Sequence, residues 1–540
     1  MGEAWQPRTI GAVLAALATA KGDGEAFVCA DKRLTYRGLY EAARRAAAAL
    51  RDLGIGRGDH VAVCMGNSAE WLTLFYANAL IGAVTVPVNT RFRAEELRYC
   101  LHQADVRALI VADRFLKIDF IAMLRGICPA IDLGLPGPDL PRLERVIVLG
   151  EDVPKAALPY AVLERPLMAE TERTLDRAMA VVLPDDVALI QYTSGTTAMP
   201  KGVQLTHDNM FRNASAVAER IGIRADDRYY SARPFYHVAG TTLSILAALS
   251  RGACLLTTPV FEPGEALLLM ERERCTLTSG NDTIFLMMMN HPRFAEHKLA
   301  LRGGWAAAGT EVMNQIRERM GMAAVVYCYG LSEASPNIIC SRFDAPWAER
   351  EAGLARPHAG MEVRIVDAAS GRDCPAGGVG EILVRGWSVM KGYYNKPAET
   401  AKAIDGEGWL HTGDLGALDT AGRLRFVGRA KDIFRVGGEN VSPADVEEVL
   451  HRHPKVKQAQ VIGVPDKRLG EVGAAYLILN EGAQGEPEEF IAWCRERCAN
   501  FKVPRYVKLI DSFEGIGMTG SSKVQKNKLK EQAIVDFSLL

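Results

Sequence analysis

"VALIQYTSGTTAMPKGVQLTH", residues 187–207, sets an apolar run of strand length against a loop of hydroxyls and glycine, then turns apolar again. The first seven residues read as a buried strand. Its end delivers Thr193, Ser194, Gly195, Thr196 and Thr197, whose hydroxyls and exposed amides can donate to several phosphate oxygens at once. Such a loop suits a polyphosphate. It is not the P-loop GxxxxGK[ST], because Pro200 precedes Lys201, Gly202 follows it, and no Ser or Thr adjoins the lysine to hold a metal. Taken alone, a Ser/Thr/Gly loop is usually a solvated turn, so the phosphate reading depends on what surrounds it.

Upstream, helical spacing over 34–55, an apolar strand at 59–65, a helix at 68–82 and a strand at 83–88 alternate in the manner of parallel sheets. The pattern returns at 106–112, 253–258 and 323–330, and chemistry is expected at the C-terminal ends of such strands. Between 367 and 440 the texture changes to short strands with Gly-rich turns, a meander of antiparallel hairpins. "SPADVEEVLHRHP" (442–454) then opens a helix with a Ser N-cap and a Pro behind it, and strands resume in "QAQVIGVPD" and "AAYLIL". The expected fold is α/β: a large N-terminal domain, 1–430, with parallel-rich sheets flanked by helices and a small β-barrel-like subdomain, then a small mobile α+β domain, 431–540.

At 540 residues, 48% hydrophobic and 24% charged, the chain is long enough for more than one buried core. Lys and Arg total 64 against 65 Asp and Glu, so no net field favours nucleic acid or an anionic membrane. The eleven cysteines are scattered without CxxC spacing, which argues against a zinc site or a disulfide framework and fits a reducing cytoplasm. "IGAVLAALATA" (10–20) has one arginine and a glutamate before it, and reads as an amphipathic helix rather than a signal peptide. The longest apolar stretch, 71–88, is interrupted by Asn78, Gly82 and Pro87 and falls short of a membrane span. No integral membrane segment is expected, and a homo-oligomer stays open.

Five further motifs follow the loop: "RPFYHVAG" (233–240), "YGLSEAS" (329–335), "WLHTGDLG" (409–416), "GRAKDIFRVGGENVSPADVEE" (428–448) and "TGSSKVQKNKL" (519–529). Together they resemble the adenylate-forming superfamily of acyl-CoA synthetases, luciferases and nonribosomal-peptide adenylation domains, in order and approximate spacing from about residue 30 to 530. The resemblance implies two half-reactions. A carboxylate attacks the α-phosphate of ATP to give an acyl-adenylate and pyrophosphate, and a thiol then displaces AMP. ATP, Mg²⁺, coenzyme A and a small carboxylic acid are the implied partners.

The resemblance also implies roles. Lys523, Glu333, His237 and Lys201 would be catalytic, with Glu333 and Thr193 near Mg²⁺, a hard oxygen-seeking ion. Lys523 would bridge the carboxylate and α-phosphate. ATP would lie against Thr193, Ser194, Gly195, Thr196, Thr197, Ala308, Gly309, Thr310, Tyr329, Gly330 and Ser332, with Tyr329 on adenine, Asp414 on the ribose hydroxyls and Arg429 on ribose and phosphate. His237, Gly240, Asn281, Asp282 and Leu331 would line the acyl pocket. Lys431 would be the hinge, with Gly437, Gly438 and Glu439 swinging toward the pantetheine channel.

Tyr236 stands where amino-acid-activating relatives carry an aspartate, so an amino acid is not the expected substrate. Asn281 and Asp282 occupy positions where relatives more often have Val and Pro, which suggests a substituted, ring-bearing or dicarboxylic acid. The simpler reading is that Asp282 caps a helix and Asn281 faces solvent. Three functions compete: a CoA ligase, an acyl-AMP-forming transferase that loads a carrier protein, and a nucleotide-binding regulator without catalysis. The presence of both Glu333 and Lys523 weighs against the last.

One methyl group departs from the pattern, since Ala198 stands where relatives usually carry glycine. If that position needs positive φ, alanine adds about 1–2 kcal/mol of strain; otherwise it only reduces freedom in the open loop. Ala198→Gly is therefore expected to preserve adenylation and to alter chiefly pyrophosphate release. Loss of ATP–pyrophosphate exchange in that variant would contradict the expectation.

Overall fold

The computed structural model describes residues 5–193, 200–437, 439–518 and 524–539, and the chain divides into two compact units. The first comprises residues 1–262, 330–337 and 387–404; the second comprises 263–329, 338–386 and 405–540.

The first unit contains an eight-stranded sheet in the order Gly392–Tyr393, Lys201–Thr206, Val187–Thr193, Val84–Pro87, His60–Cys64, Ala108–Ala112, Arg145–Leu149 and Leu158–Pro159. From Val187–Thr193 onward every neighbour is parallel, and Lys201–Thr206 is antiparallel to the strand on either side of it. His60–Cys64 and Ala108–Ala112 are buried nearly throughout, because helices cover both faces of such a sheet and leave no place for an alternating polar face. Arg228–Ser231, Cys254–Thr257 and Glu25–Cys29 form a second parallel set, closed by antiparallel Lys32–Thr35.

The long apolar stretch at 71–88 resolves into a helix, Ala69–Ile81, and a strand, Val84–Pro87. Gly82 ends the helix at φ +70°, where a side chain would be strained, and its amide bonds back to the Asn78 carbonyl. Among the described residues no helix is long and apolar enough to cross a membrane. Ile10–Ala20 is a helix with one buried face, as its spacing suggests.

In the second unit Leu277–Asn281, Gly303–Ala307 and Ala324–Gly330 are parallel neighbours. The β-rich region is a four-stranded antiparallel sheet, Met361–Val366, Gly380–Gly386, Leu410–Leu418 and Leu424–Arg429 in that order. The expected meander is interrupted: the helix Pro397–Ala403 and the strand Gly392–Tyr393 lie between its second and third strands in sequence and belong to the first unit.

The C-terminal strands Phe434–Val436, Glu439–Val441, Val456–Asp466, Gly470–Leu479 and Tyr506–Leu509 form one sheet, packed with Pro443–His451, Pro487–Arg497 and Lys526–Asp536. Phe434, Val446, Leu450, Val461, Tyr476, Phe490 and Leu529 share a buried core, the α+β arrangement the periodicities suggest. Ser442 is the N-cap residue, but its side chain makes no cap bond; its Oγ donates to the Val427 carbonyl at 3.1 Å.

His207 opens the helix His207–Ile221 fully buried, and its Nδ1 accepts from the Ile10 amide at 3.3 Å. Burial lowers its pKa to about 4, against a smaller opposing pull from Asp186. A histidine whose folded pKa is depressed favours folding while neutral, and that contribution is lost as pH falls from about 6.5 toward 4. Urea unfolding should lose about 3 kcal/mol through this group across that window, and His207→Gln should flatten the dependence. An unchanged pH slope in the variant would refute the assignment.

Candidate active site

Val187–Thr193 and Lys201–Thr206 are antiparallel, with Thr193 opposite Lys201. Thr193 Oγ1 donates to the Lys201 carbonyl at 3.5 Å. Ser194, Gly195, Thr196, Thr197 and Ala198 lie outside the described residues. The returning strand takes a further partner: Val203 pairs with Tyr393 and Gln204 with Gly392, and the Lys391 and Tyr394 amides donate to the Gln204 and Gly202 carbonyls at 3.0 and 2.8 Å.

That register turns Tyr393 toward two charges. Lys201 Nζ lies 4.2 Å from the centroid of its ring and 4.0 Å from Glu399 Oε2. Its hydroxyl donates to Glu333 Oε1 at 2.9 Å. Burial first, and then the Glu333 carboxylate, push the Tyr393 hydroxyl above the ordinary tyrosine range, so it remains a protonated donor.

Glu333 sits in a tight turn whose backbone allows few substitutions. A Cβ on Gly330 would stand 1.9 Å from the Pro336 carbonyl oxygen. Ser335 adopts φ +68°, and its Oγ donates to the Ser388 carbonyl at 2.7 Å. Asn213, fully buried, donates to the Asn337 carbonyl at 2.8 Å and accepts from the Asn337 amide at 3.2 Å. The Met390 amide donates to the Glu333 carbonyl at 2.8 Å. Leu331, Ser332 and Glu333 are left half-buried on the turn.

The motif 233–240 is held from below. Buried Asn67 donates to the Arg233 carbonyl at 3.0 Å and accepts from the Phe235 amide at 2.7 Å, and Gln191 Nε2 donates to the Tyr236 carbonyl at 3.1 Å. His237 caps the short helix Val238–Gly240, its Nδ1 accepting from the Ala239 amide at 3.1 Å. This pattern assigns the neutral ring's proton to Nε2, which makes that nitrogen a donor. A Cβ on Gly240 would fall 2.1 Å from the Pro234 carbonyl oxygen, so this turn too requires glycine.

The second unit holds the other group. Asp414 is buried, and its Oδ2 accepts from the Tyr329 hydroxyl at 2.7 Å. Arg429 is its cross-strand partner, with Nε 3.7 Å from Oδ1. The Tyr329 ring stacks on Phe426 at 4.6 Å. Ala308 and Gly309 follow the strand Gly303–Ala307 in the loop to the helix Thr310–Arg319. Gly309 is exposed there, and Thr310 Oγ1 donates to the Glu351 carbonyl at 3.0 Å.

The simpler reading of residues 281 and 282 is corrected. Asn281, not Asp282, is the N-cap of the helix Asp282–Met289: its Oδ1 accepts from the Ile284 amide at 3.1 Å. Asn281 is 3% exposed and does not face solvent, while Asp282 is half-buried in the first turn. Lys431 is exposed in a turn where the Asp432 and Ile433 amides both bond to the Arg429 carbonyl. Gly437 follows at φ +59° and Glu439 is exposed; Gly438 and Lys523 lie outside the described residues.

Tyr393, Asn213, Asn67 and Gln191 were not singled out from the sequence. A tyrosine in "GYYN" or an asparagine inside a helix carries no local signature of its role, because the partners lie far away in sequence. The buried position of an asparagine on an otherwise apolar helix face is the one available signal.

Residues 14–394 match the family model of AMP-binding enzymes, and residues 445–523 match the AMP-binding enzyme C-terminal domain. The chain is 39% identical to the putative acyl-CoA synthetase YngI of Bacillus subtilis, over 98% of both chains. It is 37% identical to the 3-[(3aS,4S,7aS)-7a-methyl-1,5-dioxo-octahydro-1H-inden-4-yl]propanoyl:CoA ligase of Rhodococcus jostii, over 98% of this chain and 99% of that one. The solved structure of ATP-bound MatB from Rhodopseudomonas palustris superposes with a TM-score of 0.78 at 27% identity, over 97% and 99% of the two chains. The family match and these relatives define an AMP-forming acid–thiol ligase, which joins a carboxylic acid to CoA through an acyl-adenylate at the expense of ATP. The chain belongs to the AMP-binding enzyme family, among its acyl-CoA synthetases.

A crowded glycine, Gly240, and an open one, Gly309, should separate in stability. Gly240→Ala is expected to cost about 1–3 kcal/mol in urea unfolding, as overpacking against backbone does. Gly309→Ala adds a Cβ with nothing within 4 Å at an ordinary φ, and should stay within about 0.5 kcal/mol of the parent. Equal losses in both variants would contradict the packing argument.

Proposed function

We propose that the two half-reactions are carried out by the residues set out below, with one carboxylate, one hairpin and a mobile C-terminal domain sharing the work. The observation that carries this reading is the convergence of Glu333 and Lys201 on Tyr393, which gives the phosphate hairpin a carboxylate anchored nearby. Ser194 to Thr197, together with Thr193 and Lys201, hold the β- and γ-phosphates, the hydroxyls by directional bonds and the lysine by charge. Asp414 receives the ribose hydroxyls: each carboxylate oxygen accepts two bonds, so the contact with Tyr329 leaves capacity. Arg429 serves ribose and phosphate, while Tyr329, Gly330, Ser332 and the 308–310 loop border the base.

Mg²⁺ fits this donor set. Among the described residues no group of three His, Cys, Asp or Glu could cage a metal, and Mg²⁺ commonly takes one carboxylate and completes its octahedron with phosphates and water. Glu333 and Thr193 would hold it. When bound, it would neutralise charge on the phosphates.

For the first step His237 presents Nε2–H to the substrate carboxylate, and Leu331 and Gly240 shape the wall beside it. One carboxylate oxygen attacks the α-phosphorus in line, the bond to the bridging oxygen breaks, and pyrophosphate leaves. Lys523 spans the two anions and offsets their repulsion. A lysine placed there obstructs the thiol, so residues 431–540 turn about Lys431 and bring Gly437, Gly438 and Glu439 to the pantetheine path. The CoA thiolate then attacks the acyl carbon and AMP departs. We take the acid to be substituted or ring-bearing rather than a plain alkanoate. The bicyclic acyl group named for the Rhodococcus relative supports this, whereas Asn281 supports it less once its Oδ1 is occupied by the helix cap.

Mass spectrometry of thioesters formed from a panel of acids with ATP, Mg²⁺ and CoA should show best turnover with substituted acids. Best turnover with unsubstituted alkanoates would reject the substrate class, and adenylate without any CoA thioester would favour a carrier-protein acceptor. Lys523→Ala should cut ATP–pyrophosphate exchange by about a hundredfold or more while thioester formation from supplied acyl-adenylate persists. Equal loss of both half-reactions would reject the division of labour.

A further inference from the structure

The residue that touches both candidate charges belongs to no motif singled out above. Tyr393 is 6% exposed, and its backbone is fixed by ladder bonds to the returning strand of the phosphate hairpin. On the other side the Tyr393 amide donates to Thr400 Oγ1 at 2.9 Å. The backbone is thereby held on both sides. That ring presents its face to the Lys201 ammonium at 4.2 Å and its hydroxyl to Glu333 Oε1 at 2.9 Å.

We propose that Tyr393 is the positioning residue of the adenylation site, setting the Glu333 carboxylate through its hydroxyl and the Lys201 ammonium through its ring face. This rests on the roles given to Glu333 and Lys201 above and adds the element that couples them.

The two contacts do different things. The hydroxyl occupies one lone pair of Oε1 and selects one rotamer of a half-buried carboxylate, leaving Oε2 directed by the same rotamer. A charge-assisted bond of this kind is among the stronger ones, because the acceptor is ionised. The ring supports the ammonium without neutralising it, since its attraction comes from the quadrupole of the π face and not from a formal charge. Lys201 is poised between that ring and Glu399 Oε2 at 4.0 Å, with about a third of its side chain exposed. A polyphosphate anion can therefore displace the Glu399 contact while the ring contact persists. Tyr393 acts as the fixed side of a swivel, and Glu399 as the partner that yields.

The separation of hydroxyl and ring provides the test. Tyr393→Phe keeps the ring and removes the hydroxyl. It should lower kcat of ATP–pyrophosphate exchange about tenfold, leave KM for ATP within about twofold, and weaken Mn²⁺ binding in the presence of a non-hydrolysable ATP analogue, read by electron paramagnetic resonance. Tyr393→Leu removes both contacts and should in addition raise KM for ATP about three- to fivefold. Thermal unfolding of both variants identifies any general loss of fold, and Tyr393→Phe alone suffices if the leucine variant unfolds. Parallel Glu333→Gln measurements distinguish the two levels. If Glu333→Gln abolishes exchange while Tyr393→Phe matches the parent in kcat and Mn²⁺ affinity, the positioning role of Tyr393 is overturned. If Glu333→Gln retains full exchange, the role of Glu333 itself falls.

Discussion

The antiparallel pairing of Lys201–Thr206 with Val187–Thr193 on one side and Gly392–Tyr393 on the other is the constraint on which the first unit's site depends. The first pairing sets Thr193 opposite Lys201. The second brings a segment from far along the chain to lie beside the hairpin, and that segment then reaches the Glu333 turn through the Met390 amide and the Tyr393 hydroxyl. Backbone hydrogen bonds do this well because their register admits no intermediate: a slip of one residue would turn Tyr393 to the opposite face of the sheet. A site assembled by ladder bonds holds its charges without relying on the charges to hold each other.

The turns that carry Glu333 and His237 share a second device. Each folds its backbone so closely on itself that a glycine is required, Gly330 against Pro336 and Gly240 against Pro234. Each is then pinned by a buried asparagine, Asn213 under the first and Asn67 under the second. An asparagine suits this work because its amide donates and accepts at once, and so satisfies both a carbonyl and an N–H of a tight loop. Burying such a group without partners would cost about 1–3 kcal/mol, so the same bonds that fix the loop also make the burial tolerable. Function is thus supported by polar residues in positions where the surrounding pattern is apolar.

Asn281 shows how a polar residue can meet a local structural need at a position where chemistry is also expected. Two polar residues at the end of an apolar strand suggested a polar pocket wall or a capping aspartate, and the strand's end is where α/β proteins place their chemistry. The cap is the asparagine one position earlier, and the aspartate lies in the first turn, where its charge complements the helix N-terminus. Asn and Asp are nearly equivalent as caps, so sequence alone left the choice of residue open by one position.

The sequence by itself determined the alternation of strand and helix, the change to hairpins after residue 367, the helix break at Gly82 and the order of motifs, because each depends on residues near one another in the chain. Val187–Thr193 and Ala324–Gly330 are mostly apolar runs of strand length, and no tertiary partner was needed to recognise them as strands. The family motifs were legible for the same reason: each is a short run whose residues act together. Only the tertiary structure decided which partner each motif acquires. It placed Tyr393 between Lys201 and Glu333, Asn213 beneath the Glu333 turn, and Tyr329 on Asp414. The physical reason is that strand pairing and buried hydrogen bonds join residues distant in sequence, and a tyrosine or asparagine carries no mark of the group it will meet.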